Sequence, residues 1–188
     1  MALGSLVKTL QNIMRKDAGI NGDAQRIEQM TWLFFLKIYD AKEEEWEFHD
    51  DSYKSVIPER LRWHSWAVDN CDGKAPELLD FINNDLFKTL ADLEMGPNAP
   101  LSQVIVKAAF TDANNYMKDG ILLRQVVNEI DKAVDFTEYK ERHAFGEIYE
   151  TILKDLQSAG NAGEFYTPRA VTDFMAQALA PKLGEKVA

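Results

Sequence analysis

The feature that most constrains this chain is the run Trp32-Leu33-Phe34-Phe35-Leu36-Lys37-Ile38-Tyr39, set inside a helical pattern that opens at Asp23 and reaches about Phe48. At 1.5 Å per residue such a pattern makes a rod of roughly 37 Å. A helix apolar on nearly every side must be enclosed by other elements, so this segment predicts the spine of a multi-helix domain. Asn21-Gly22 reads as a turn, and Asp23 is placed to cap the helix. The far end, Lys42 to Glu47, is charged and is expected to project into water.

Other helices follow from apolar spacing. Leu3, Leu6, Val7, Leu10, Ile13 and Met14 form one stripe of an amphipathic helix. Pro76 suits the first turn of a helix running through Phe87. After the break Gly96-Pro97-Asn98-Ala99-Pro100, a short helix carries Leu101, Val104, Ile105 and Ala108, and another carries Leu122, Val126, Val127 and Ile130. A longer one holds Phe145, Ile148, Tyr149, Ile152, Leu153 and Leu156 and ends near Gly160. Residues 49–75 look irregular. Their pair Trp63 and Trp66, with His64 between, has the chemistry of a base-stacking site, but such residues more often anchor a loop to the core. No segment alternates as a strand, and no βαβ unit is visible. The fold class is therefore all-α over the first ~160 residues, with about seven or eight helices.

Composition excludes several classes. Of 188 residues, 46% are hydrophobic and 28% charged, which rules out a disordered or collagen-like chain. No apolar run approaches the ~18 residues that span a bilayer. Cys71 is the single cysteine, so neither an internal disulfide nor a cysteine-based zinc site is available, and its acidic neighbours Asp69 and Asp72 disfavour a thiolate. His49, His64 and His143 show no metal spacing. With no secretory signal at the start, the reading is cytoplasmic and without a membrane. The net charge of −10 is uneven: residues 40–94 hold 6 basic and 15 acidic side chains, a poor grip for phosphate, whereas residues 1–39 hold 5 and 3.

One stretch differs in kind. Ala159-Gly160-Asn161-Ala162-Gly163-Glu164-Phe165-Tyr166-Thr167-Pro168-Arg169 is a glycine loop that enters a new helical stripe of Val171, Phe174, Met175, Ala178 and Leu179. Thr167 fits the N-cap and Pro168 the first helical position. Such a helix start offers free N–H groups and partial positive charge, a seat for a carboxylate or phosphate, and Arg169 adds a cation. Phe165 and Tyr166 have the faces to lie against an adenine ring or a sulfonium. Taken on local chemistry alone, most loops of this kind bind nothing.

The segment Gly163-Glu164-Phe165-Tyr166-Thr167-Pro168-Arg169-Ala170-Val171 resembles the signature that opens the methyltransferase domain in modification subunits of type I restriction–modification systems. The upstream Phe145-Gly146-Glu147-Ile148-Tyr149-Glu150 and the early amphipathic helix followed by an aromatic-rich long one are similar to that family as well. The resemblance implies a helical N-terminal domain over residues 1–158. Residues 159–188 would begin an α/β S-adenosylmethionine-dependent methyltransferase domain, supplying its cofactor loop and first helix. It also implies that Glu164, Phe165, Tyr166, Thr167, Pro168 and Arg169 contact S-adenosylmethionine.

The same resemblance implies transfer of a methyl group to N6 of adenine in a specific double-stranded DNA sequence. Its implied partners are a specificity subunit, a restriction subunit and a second modification subunit. The family's catalytic Asn-Pro-Pro-aromatic loop has no counterpart here, since the chain has no Asn-Pro pair. The expectation is thus an N-terminal fragment with no catalytic residue and no activity alone. Two readings compete: a purely helical protein–protein interaction module, and a stand-alone adenine methyltransferase fused to restriction functions.

Overall fold

The computed structural model describes residues 3–67, 75–133, 169–180 and 182. Every regular element among those residues is a helix, and they contain no strand. The chain divides into two compact units, residues 1–151 and 152–188.

In the first unit, α1 (Leu3–Met14) buries Leu6, Val7, Leu10 and Met14, as its stripe predicts. It packs against α7 (Gly120–Ala133), which buries Leu123, Val126, Val127 and Ile130. Between them sits Asp17, only 3% exposed, whose carboxylate accepts from the N–H groups of Gly19 (2.7 Å), Lys118 (3.0 Å) and Asp119 (2.9 Å). One buried charge with three backbone donors thus fixes the loop after α1 to the loop before α7. Gly19 is required there, because a Cβ would stand 2.0 Å from the Tyr116 carbonyl oxygen.

The spine is α2 (Asp23–His49), 27 residues and about 40 Å long. It buries Trp32, Leu33, Phe34, Leu36 and Tyr39. Gly22, not Asp23, is the N-cap, and no side chain caps the helix. Asp23 instead lies in the first turn, where it favours the helix dipole and pairs with Arg26. The charged end also departs from expectation. Glu43 is fully buried rather than solvated, for reasons given below.

The described part of the segment after α2, residues 50–67, is less irregular than its composition suggests. It holds a 3-10 turn, Glu59–Leu61, and a short helix, α3 (Trp63–Trp66). Next come α4 (Ala75–Asp80), a π-helical segment (Phe81–Leu86) and α5 (Phe87–Ala91), end to end. The buried residues Leu78, Ile82, Leu86 and Leu90 recur every four positions. In an α-helix each four-residue step drifts about 40° around the axis, so Leu90 would end far off the face set by Leu78. The wider i→i+5 turns of the π segment absorb that drift and keep all four on one side.

Edge-on ring contacts lock this rod to its neighbours. Trp32 meets Phe87 at 5.0 Å, and Phe110 of α6 (Leu101–Thr111) meets Phe87 at 5.4 Å and Phe35 at 5.9 Å. α6 buries Val106 and Phe110, while the predicted stripe of Leu101, Val104, Ile105 and Ala108 faces outward.

In the second unit, α8 (Arg169–Leu179) is followed by Ala180 in the left-handed conformation (φ 40°), a common helix stop. Its stripe of Val171, Phe174, Met175 and Leu179 is exposed. Cys71, His143, the helix expected over Phe145–Leu156 and the loop residues Ala159–Pro168 lie outside the described residues.

Candidate functional site

Of the six residues singled out for the cofactor, Glu164, Phe165, Tyr166, Thr167 and Pro168 lie outside the described residues, and Arg169 is the first residue of α8. The helix therefore opens directly after the Thr-Pro pair. Its first turn carries no acidic side chain. The first turn of α8 therefore adds no carboxylate of its own to the partial positive charge of that helix end.

A second constellation was not legible in the sequence. Arg62, 4% exposed, stands at the N-cap of α3 and reaches onto the C-terminal third of α2. Its Nε donates to Asp40 (3.1 Å) and lies 3.5 Å from Glu43, and its Nη1 donates to Glu47 (2.7 Å). Ser55 Oγ is 2.7 Å from the Glu43 carboxylate, and the Tyr53 hydroxyl donates to it at 3.1 Å. Burial pushes the Glu43 carboxyl above its ordinary range, against the pull of Ser55, Tyr53 and Arg62. Burial, followed by the Glu43 charge, raises the Tyr39 phenol to about 12. These groups share one enclosed patch in which each charge has a partner.

His64 sits at the rim. Its Nδ1 is 2.9 Å from Asp40 and its Nε2 is 2.8 Å from Glu59. Burial alone would lower the imidazole pKa, but the hydrogen bonds to Glu59 and Asp40 outweigh it and raise the value above 6.5. Asp40, Glu44 and His64 bring ligand atoms within 4.8 Å of one another, a closeness that sequence spacing did not reveal. The guanidinium of Arg62 already meets Asp40 there, so the cluster is balanced by a protein cation.

The tryptophan pair follows its anchoring reading. Trp63 and Trp66 are 1% and 8% exposed and meet edge-on at 5.1 Å. Trp63 Nε1 donates to Asp131 of α7 at 2.8 Å, and Lys37 of α2 pairs with the same carboxylate at 2.9 Å. Asp131 is held below the usual carboxylate range because the Lys37 and Trp63 hydrogen bonds outweigh its burial. Arg124 of α7 donates to the Trp66 and Ala67 carbonyls at 3.3 Å. Buried rings with satisfied N–H groups are not free to stack on a base.

Comparison with known proteins identifies the scaffold. Residues 3–130 match the family described as the HsdM N-terminal domain. The chain belongs to that family. Residues 140–188, which include the glycine loop and α8, match the family described as N-6 DNA Methylase. The chain is 54% identical over 187 residues to the type I restriction enzyme EcoEI methylase subunit of Escherichia coli, covering 100% of this chain and 38% of that relative. A modification subunit assigned to a type I restriction enzyme of Vibrio vulnificus YJ016 superposes with a TM-score of 0.82 at 36% identity, covering 97% of this chain and 41% of the other. A chain from a study of complex assembly and conformational transition in a type I R-M system superposes with a TM-score of 0.76 at 30% identity, covering 97% and 36%. The chain thus spans well under half the length of these relatives. Among the described residues, no helix is long and apolar enough to cross a membrane.

Proposed function

We propose that this chain is the N-terminal part of a type I restriction–modification methyltransferase subunit, which moves a methyl group from S-adenosylmethionine to N6 of adenine in a specific DNA sequence. The observation that carries the reading is the match of residues 140–188 to N-6 DNA methylases, with a helix opening at Arg169 immediately after Thr167-Pro168. Residues 1–158 form the helical domain that contacts DNA and other subunits, and residues 159–188 begin the methyltransferase domain. Glu164, Phe165, Tyr166, Thr167, Pro168 and Arg169 make one wall of the cofactor site. The backbone amides at the start of α8 receive the methionine carboxylate, and the two aromatics flank the adenine or sulfonium. When bound, S-adenosylmethionine supplies the electrophilic methyl group.

The target adenine must leave the duplex to reach that methyl group. The acidic stretch of residues 40–94 directs any DNA contact of the helical domain to other surfaces. The partners in this reading are double-stranded DNA, a specificity subunit, a restriction subunit and a second modification subunit, all in the cytoplasm. The 188-residue chain has no Asn-Pro pair and transfers no methyl group alone. The test is adenine methylation by the full-length subunit with its cognate specificity subunit. Methyl incorporation at adenine N6 supports the reading, and none in that complex rejects it.

A further inference from the structure

α6 is apolar on two opposite sides. Val106 and Phe110 are 0% and 2% exposed against the core. On the other side, Leu101, Val104 and Ile105 are 73%, 41% and 46% exposed, and Ala108 is exposed beside them. These four stand at i, i+3, i+4 and i+7, a continuous ridge with no charge on it. A helix apolar on both sides belongs in an enclosed position, yet among the described residues only one side of α6 is covered.

The ridge ends at a cavity of 300 Å³ between α6 and α2. Trp32, Phe35 and Ala109 line it with apolar surface, and Glu28, Asp112 and Asn114 add polar groups. Glu28 and Asp112 are exposed carboxylates, and the Tyr116 hydroxyl donates to Glu28 and holds it in place. Lys107, the α6 lysine, is turned away and donates to the Leu93 carbonyl at 2.7 Å. An aromatic-walled recess with two acids has the chemistry that receives the stem and head of an arginine or lysine.

We propose that the α6 ridge and this cavity together dock an amphipathic helix of another protein. Its apolar stripe lies along Leu101, Val104, Ile105 and Ala108, and a basic side chain at one end enters the cavity beside Glu28 and Asp112. Charge complementarity selects this occupant. A second copy of this chain, with its net charge of −10, would bring more negative charge to an acidic recess. The ridge supplies the buried anchors and the recess fixes direction, the arrangement of helix-in-groove recognition.

The choice of probes rests on the function proposed above, but the readout does not use methylation. Hydrogen exchange is measured on the full-length subunit alone, and then with the purified cognate specificity subunit and restriction subunit added separately. The expected result is slowed exchange across residues 101–112 with one of them. Ile105→Glu, and separately the pair Glu28→Lys and Asp112→Lys, then weaken that complex about tenfold or more at unchanged melting temperature. All these side chains are exposed, so the variants fold. No slowing with either subunit overturns the proposal even if adenine methylation is intact. So does slowing that the charge reversals leave untouched, or slowing that appears with rising concentration of the subunit alone, which assigns the ridge to a second copy.

Discussion

Replacing Arg62 by methionine removes the guanidinium that Asp40, Glu43 and Glu47 share. The side chains of Asp40 and Glu43 are 7% and 0% exposed, so two carboxylates lose their counter-charge in an enclosed patch. Taking one partner from a buried ion pair costs about 3–5 kcal/mol, whereas an exposed pair is worth about 0–1 kcal/mol. The Glu59 contact, with its carboxylate 70% exposed, belongs to the second class and adds little. A loss near 4 kcal/mol in a chain of this length lowers the melting temperature by roughly 8–16 °C. The pH dependence carries a sign. The Glu43 carboxyl is already raised above 4.5 by burial, so the stability it contributes is present below that value and is lost as pH climbs through its folded pKa. Without Arg62 the folded value moves higher still, so the deficit of the variant must shrink as pH is lowered from neutral toward 4.5. Adding Asp40→Asn and Glu43→Gln removes the stranded charges and recovers most of the loss. Urea denaturation followed by tryptophan fluorescence measures all of this. A loss below about 1 kcal/mol, or a deficit constant across that pH range, would refute the reasoning.

Three further outcomes are expected. Gly19→Ala forces a Cβ to 2.0 Å from a backbone carbonyl and lowers stability by about 1–3 kcal/mol in thermal melts, while Gly22→Ser, with nothing within 4 Å, stays within about 0.5 kcal/mol. His64 has a folded pKa above 6.5, so its contribution is present below 6.5 and fades as pH rises through the folded value; His64→Gln flattens that part of the stability profile by less than about 1 kcal/mol, because the side chain is 37% exposed. The 188-residue chain binds S-adenosylmethionine very weakly or not at all in calorimetry, and a micromolar dissociation constant would contradict this.

How far the sequence revealed the fold depended on whether its signal was local. The stripes of α1 and α7 and the all-apolar middle of α2 are periodic within one element, and burial follows them closely. Glu43 carried no such signal. Its burial depends on Arg62 arriving from a loop 19 positions later and on Ser55 and Tyr53 folding back onto α2. The π segment was not anticipated: Pro76 predicted one helix through Phe87, whereas the buried Leu78, Ile82, Leu86 and Leu90 recur with a period too long for an α-helix. In α6 the stripe correctly gave a helix, but two apolar sides compete there, and the rings of Phe35 and Phe87 pull Phe110 inward. Of the cofactor residues, Arg169 is placed at the start of α8, and nearly all the information about the others is carried by the motif itself.

The account turns on residues 164–169 forming part of a methyl-donor pocket. Calorimetric titration of S-adenosylmethionine into the full-length subunit, with Phe165→Ala and Tyr166→Ala beside the unaltered protein, tests this most directly. Removing an aromatic face from the adenine or sulfonium weakens binding by about tenfold, or roughly 1.4 kcal/mol, without shifting the melting temperature of the unliganded protein. Variants that bind the cofactor as tightly as the unaltered subunit would contradict the account.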